Sequence, residues 1–371
     1  MIPIFSNSIG EEELSAVGEV FESKWLGASS KTLEFEKQFR EMINSKYSLS
    51  YNCATAAIYD SLRLIGIKEG DEVLIPTINF IGCANAIIEN GGTPIFCDVD
   101  QTTLNIIPSE IVKKRTEKTK AVLLLHYGGH PCDMKQIYEA SEGLAIIEDS
   151  ANSVYSSYDG KYCGTLGDIG CFSFDAMKIL VTGDGGMMTF QNDEYYDRAL
   201  SYRYLGLTNK DKSGVDSMKE GSDTWWEIEL SETAGRYVSN DIASSIGLEQ
   251  IKKLNGFIKR RKEIWETYQS ELSDVDWLII PPEPLDGCTS SYYLYWLQLK
   301  NRNKFAKYMV DNGIYVTFRY YPLHLIKHYD SWDTQLPNSE LINDRAINIP
   351  LHQNLSDNDV EYIVKTIKEF N

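Results

Sequence analysis

Lys178 lies in the run GDIGCFSFDAMKILVTGDGG (Gly167 to Gly186), downstream of an apolar segment that ends in an acid, AIIEDS, with Asp149 at its tip. A lysine amine can hold an aldehyde as a Schiff base. A carboxylate can keep a pyridine nitrogen protonated, so that the ring draws electrons from a bound substrate. Those are the two anchors that pyridoxal phosphate needs. Neither residue carries the assignment alone, because lysines are mostly solvated and an acid after a strand often only caps a helix.

A third feature points the same way. The sequence NCATAA (Asn52 to Ala57) follows the apolar run YSLSYN and opens a helical stretch, ATAAIYDSLRLIG. Free backbone N–H groups and the helix dipole make such a junction favourable to an anion, although a bare helix cap looks the same in sequence.

These residues need a frame that brings them together. Short apolar runs (DEVLIP, TPIFCDV, KAVLLLHY, LAIIEDS, GCFSF, GGMMTF) alternate with amphipathic stretches up to about residue 205. Runs buried on both faces and joined by helical connectors predict a largely parallel sheet covered by helices on each side, with ligands at the carboxyl ends of the strands. Asp149, Ala54, Thr55 and Phe80 fall at or just beyond such ends. From Asn209 to Arg236 the sequence is polar and irregular, long for an idle connection. A helical segment from about Asn240, with Asn240 or Asp241 as cap, then leads into a smaller α+β region.

The chain has 371 residues, 43% hydrophobic and 24% charged, enough for a large core in a globular protein. Its formal net charge of -18 argues against binding nucleic acid or anionic membrane, so an anionic substrate must meet a local basic site. The opening MIPIFSNSIGEEEL has no basic n-region, and nowhere do eighteen apolar residues run together; the expectation is a cytoplasmic protein. Seven scattered cysteines without a C-x-x-C pair predict reduced thiols. His324 and His328 have a ligand-like spacing on one helix face but no third ligand nearby in sequence, so no metal is expected. No G-x-G-x-x-G follows a strand, which disfavours a nicotinamide dehydrogenase.

The segment EDSANSVYSSYDGKYCGTLGDIGCFSFDAMKILVTGDGGMM follows an order of acid, amide, glycine turn, serine-phenylalanine, lysine and glycine pair. In this the chain resembles the PLP-dependent nucleotide-sugar aminotransferases of the DegT/StrS group, and the likeness runs from IPIFSNSIGEEELSAVGEVFESKWL to DVEYIVKTIKEF. The resemblance implies an α/β fold type I transferase: a large domain (1–245) with a mostly parallel seven-stranded sheet, and a smaller C-terminal α+β domain (246–371). It assigns Lys178 to the cofactor aldehyde and to proton transfer, Asp149 to the pyridine nitrogen and Asn152 to the ring hydroxyl. Phe80 falls where the family has an aromatic over the ring, and Ala54, Thr55 and Ser173 fall at the phosphate.

AGRYVSNDIASSIGLEQI matches a segment that reaches across a dimer to the neighbour's cofactor phosphate, with Arg236 where asparagine is common. GIYVTFRYYPLH resembles the motif lining the sugar-nucleotide side; Arg319 stands in place of a histidine, Tyr320 is kept and His324 ends the motif. Trp225 and Trp226 could stack on a base or sugar, with at least one expected to be buried in packing. Relatives with histidine at the lysine position are dehydratases, so Lys178 favours amino transfer. The implied reaction takes an amino group from L-glutamate to a nucleotide-linked 3- or 4-keto-6-deoxyhexose in a homodimer. A PLP lyase or dehydratase, an aminotransferase on a free sugar or cyclitol, and an inactive binding protein of the same fold are the alternatives.

Overall fold

The computed structural model describes residues 1–208, 218–219, 221, 223–332 and 334–370. Its strands are β1 (Tyr47–Tyr51), β2 (Glu72–Pro76), β3 (Thr93–Cys97), β4 (Thr119–Leu125), β5 (Ala145–Asp149), β6 (Ser157–Tyr158), β7 (Lys161–Tyr162), β8 (Ile169–Ser173), β9 (Gly186–Phe190), β10 (Cys288–Thr289), β11 (Tyr295–Gln298) and β12 (Ala346–Ile349). Seven of them form one sheet in the order β1-β9-β8-β5-β4-β2-β3. All neighbours pair in parallel except β9, which runs antiparallel to both β1 and β8. The expected mostly parallel seven-stranded sheet is therefore present. The runs that read as continuous apolar stretches are buried on both faces, as in the IIED end of β5.

Helices α1 (Glu11–Ser23), α2 (Ser30–Ile43), α3 (Ala54–Leu64) and α4 (Ile81–Glu89) supply much of the cover, and α3 packs directly on β8 and β9. The aromatic face of α2 meets the sheet: Phe39 lies edge-on to Phe172 at 4.9 Å and to Phe174 at 5.4 Å. On its other side α2 packs against the long helix Asp241–Leu272, with Gly247 facing Phe35. A Cβ at Gly247 would come within 2.6 Å of that ring, so the glycine sets the helix separation.

That helix begins as the sequence suggests, with Asn240 Oδ1 accepting from Ala243 N–H at 2.9 Å. It runs without a break through residues 245 and 246, so the division expected there falls inside one element. Beyond it, β11 and β12 pair antiparallel beside helices Arg302–Asp311, Pro337–Arg345 and Asp357–Lys368. The amino terminus joins this smaller unit through a bridge between Ile2 and Ile314. Asn348 of β12 accepts from Arg319 N–H at 2.7 Å, which fixes the segment carrying Arg319 and Tyr320.

Candidate active site

Asp149 is the last residue of β5, and Lys178 sits in the loop between β8 and β9, so both open at the carboxyl edge of the sheet. The antiparallel return of β9 makes this possible, because the chain leaves β8, carries the lysine and re-enters the sheet beside it. The loop is pinned at its base by Phe174 N–H to Gly185 O and Thr182 N–H to Phe174 O, each 2.9 Å. Gly186 passes against the start of α3, where a Cβ would lie 2.6 Å from the backbone nitrogen of Ala54. No larger residue could bring strand and helix end so close.

Behind Asp149, the neighbouring Glu148 is saturated. Its carboxylate accepts from Gly164, Leu166 and Gly167 N–H at 2.6–2.7 Å and pairs with His126 Nε2 at 2.9 Å. His126 Nδ1 in turn accepts from Cys132 N–H at 3.0 Å. Cys163 stands close to this buried pair. A metal there would have to displace this network, so the cluster is read as a latch that ties the turn before β8 to the end of β5.

Asp149 is 2% exposed. Its Oδ1 accepts from Ala151 N–H at 3.0 Å, and the Cys83 thiol donates to Oδ2 at 3.2 Å. Burial pushes its carboxyl above the ordinary value, and the Ala151 N–H, Lys178 and Cys83 only partly offset this. Lys178 Nζ lies 3.3 Å from Asn152 Oδ1, which Tyr320 Oη also approaches at 3.4 Å. Burial works against charge on this amine, but Tyr293, Tyr320 and Asp149 outweigh it and hold the ammonium above the usual lysine range.

Lys178 and Asp149 share a cavity of about 200 Å³ with Ala54, Thr55, Phe80, Ser173, Arg319 and Tyr320. At one end lies the first turn of α3, whose N-cap, Cys53, makes no side-chain cap; the hydroxyls of Thr55 and Ser173 flank it. This end suits a phosphate. The Asp149 carboxylate and the Lys178 amine line the same cavity. Asn152 Nδ2 is buried without a hydrogen-bond partner among the described residues, a donor left over for a ligand. An aldehyde-bearing pyridine with an oxygen substituent and a phosphate arm matches this donor and acceptor set.

Three expected residues, Asn152 (which still meets Lys178 Nζ), His324 and Arg236, fall outside the cavity lining. His324 is buried behind it, with Nδ1 2.7 Å from Thr77 Oγ1 and its own N–H donating to the same oxygen at 3.2 Å. It thus holds the loop leading to Phe80. Burial lowers its pKa despite Glu340 nearby. His324 and His328 lie in separate 3-10 turns, Leu323–Leu325 and Lys327–Trp332, so they do not share the helix face that their spacing suggested.

Arg236 is exposed, its guanidinium 5.4 Å from the Tyr204 ring. The segment after it returns beside the β1–α3 junction, where Asn52 N–H donates to Tyr237 O at 2.6 Å. Trp225 and Trp226 pack edge-to-face at 4.6 Å but are 42% and 63% exposed, so the expectation that one is buried does not hold in the single chain. Part of the irregular stretch from Asn209 lies outside the described residues. Sequence reading missed Cys83, Asp175, Asp184 and Tyr293. Asp175, two residues after Ser173, and Asp184, beside Gly185, also line the cavity and were within reach of the motif; Cys83 and Tyr293 sit in apolar runs with no local signal.

The model of the DegT/DnrJ/EryC1/StrS aminotransferase family matches residues 7–368. The chain belongs to this family. It is accordingly an enzyme, an aminotransferase of the α/β fold just described. It is 42% identical over 369 residues to the dTDP-4-dehydro-2,3,6-trideoxy-D-glucose 4-aminotransferase of Saccharopolyspora spinosa, covering 98% of this chain and 95% of that one. The GDP-perosamine synthase of Escherichia coli O157:H7 is 33% identical over 100% of this chain and 98% of its own. Among solved structures, the aminotransferase TlmJ from Streptoalloteichus hindustanus superposes with a TM-score of 0.92 at 44% identity, covering 99% and 98% of the two chains. The seven cysteines are all free.

Proposed function

We propose that this aminotransferase uses pyridoxal 5'-phosphate to carry an amino group from L-glutamate to a nucleotide-linked keto-sugar, and that it works as a cytoplasmic homodimer. The observation that carries the reading is one cavity bounded by the Lys178 amine, the Asp149 carboxylate and the uncapped start of α3. When bound, the cofactor supplies an electron sink that acidifies the donor's carbon–hydrogen bond. Asp149 would hold a proton on the pyridine nitrogen, and Asn152 Nδ2 would donate to the ring hydroxyl. Thr55, Ser173 and the N–H groups of Ala54 and Thr55 would hold the phosphate, while Phe80 would cover the ring. Lys178, freed by the donor amine, would take the donor's proton on Nζ and return it to the neighbouring carbon.

Arg319 at the cavity wall is a cation suited to a diphosphate in a chain of net charge -18. Relatives named for dTDP- and GDP-linked sugars support that substrate class, and the 4-aminotransferase among them favours a 4-keto sugar. Large apolar side chains on and after α1 and α2 stand open: Leu14, Phe21, Trp25 and Leu33 are each 59–65% exposed. A second copy covering them would account for this, and Arg236 would then face the partner's phosphate. No described helix is long and apolar enough to cross a membrane.

The test is stepwise. Protein loaded with cofactor is mixed with glutamate alone, and loss of the visible absorbance is expected together with release of 2-oxoglutarate. A panel of dTDP- and GDP-linked 4-keto-6-deoxyhexoses should then restore the absorbance. An absorbance unmoved by glutamate or any other amino donor sinks the reading.

A further inference from the structure

The amine of Lys178 is held by more than Asn152. Its Nζ stands 4.8 Å from the centre of the Tyr293 ring, within reach of that ring's negative face. The same ring is stacked on Phe5 at 5.6 Å with planes 18° apart, and the guanidinium of Arg319 lies 4.9 Å from the Phe5 ring. Phe5 belongs to the amino-terminal segment that joins the smaller unit, so three separate parts of the chain meet at the lysine.

Tyr293 is fixed in place by its backbone. Its N–H donates to Gly128 O at 2.9 Å, and its carbonyl accepts from Arg261, a 1% exposed arginine that also reaches the carbonyls of Tyr292 and Leu351. Its side chain is 1% exposed, and its hydroxyl has no hydrogen-bond partner among the described residues. What reaches Lys178 from this residue is the face of its ring.

We infer that Tyr293 is a positioning residue for Lys178: its ring face, braced by Phe5, holds the ammonium that forms when Lys178 takes up a proton. The inference rests on Lys178 being the proton carrier of the proposed function. Asn152 Oδ1 meets one N–H bond of that ammonium, and the ring meets its remaining charge. The proton then stays on Nζ beside the cavity instead of passing to water. The rings also link the two cations of the site as successive contacts, Arg319 to Phe5, Phe5 to Tyr293 and Tyr293 to Lys178.

Removing the ring takes away a group that favours the charged amine, so the lysine must lose its proton more readily. In cofactor-free protein the amine can be titrated by a small acylating reagent, with labelling of Lys178 read by mass spectrometry across a pH series. For Tyr293→Leu the labelling midpoint is expected to fall by about one pH unit, with about tenfold faster labelling below it. Tyr293→Phe keeps the ring and should label within about twofold of the unmodified protein. In the loaded enzyme, Tyr293→Leu should slow the glutamate half-reaction and enlarge the isotope effect with donor deuterated at the α-carbon, and Tyr293→Phe should restore both.

An unchanged midpoint in a folded Tyr293→Leu protein overturns the inference, and so does a Tyr293→Phe midpoint that moves as far as the leucine variant. Circular dichroism and the thermal midpoint report whether the leucine variant folds. If it does not, Phe5→Leu, at a partly exposed ring, carries the test: the midpoint must move in the same direction, and a midpoint that stays fixed overturns the idea. The cofactor-free titration needs neither donor nor sugar, so its failure is distinct from failure of the substrate assignment.

Discussion

Two of the regions where this molecule buries ionisable groups differ in kind, and only one of them is built for chemistry. At the strand ends Asp149 and Lys178 face an open volume, with the Asn152 amide nitrogen left unpartnered beside them. Beneath α3 and α2, Glu36, Arg203 and Asp60 are also buried; none of them lines the cavity of Lys178 and Asp149, and Glu36 borders a separate pocket beside α2 and β1. Glu36 is met by the Arg203 guanidinium and by both the N–H (2.8 Å) and hydroxyl (2.7 Å) of Ser50, while Arg203 also donates to Ser50 O at 3.0 Å. Burial of charge is common to both. Unpartnered polar atoms do not separate them either, since both Asp60 oxygens and Arg203 Nε also lack partners among the described residues; what does is that Asp149 and Lys178 share one cavity with the uncapped start of α3.

The sharpest break of this contrast is at the lysine. Lys178→Ala is expected to lower turnover by about 10⁴-fold or more, since it removes both the cofactor's anchor and the proton carrier, while the thermal midpoint changes little. Turnover by single-wavelength assay and a melting curve of the same preparation check the two halves. Loss of fold together with activity would erase the distinction between the regions.

Arg203→Ala should behave in the opposite sense. It strips the charged partner from a buried glutamate, and the expected cost is about 3–5 kcal/mol of stability, read by denaturant titration. Once corrected for the folded fraction, the glutamate half-reaction should stay within about threefold of the unmodified enzyme, because Arg203 does not line the cavity. A large loss per folded molecule would mean that the corner beneath α3 acts on the phosphate end of the site through that helix.

How much of this contrast was legible in the sequence follows from the same physics. Apolar runs and their connectors foretold the sheet because burial on both faces leaves a continuous signature, and Lys178 and Asp149 stood out because each ends or interrupts such a run. The antiparallel strand β9 was not separable, since GGMMTF is as apolar as its parallel neighbours. Tyr293 and Cys83 were invisible because aromatic and thiol side chains within apolar runs read as core; only the fold shows that they touch Lys178 and Asp149. His324 misled in the other direction: its position in a motif suggested substrate contact, but the chain turns its ring back onto Thr77. The exposed apolar side chains of α1 and α2 left no local trace either, because a helix face reserved for a partner has the same periodicity as one facing its own core.

The smallest effects come from the two buried acids, and they divide the regions by the sign of a ligand's influence. Burial lifts Asp60 from 3.8 to about 7, with Tyr51, Arg63 and Arg203 only partly opposing it, and lifts Asp149 in the same direction. A folded-state value above the unfolded one means that the folded protein binds the proton more tightly. Below about pH 3.8 both states are protonated and nothing is lost; as pH rises towards the folded value, stability falls. Asparagine does not ionise, so Asp60→Asn should match the unmodified protein at low pH and melt a few degrees higher at pH 8. Cofactor-free Asp149→Asn should do the same. Adding pyridoxal phosphate then separates them: the protonated pyridine nitrogen would pair with Asp149, so the cofactor should stabilise the unmodified protein and Asp60→Asn alike, but Asp149→Asn much less. Equal stabilisation of all three would return Asp149 to the structural class to which Asp60 belongs.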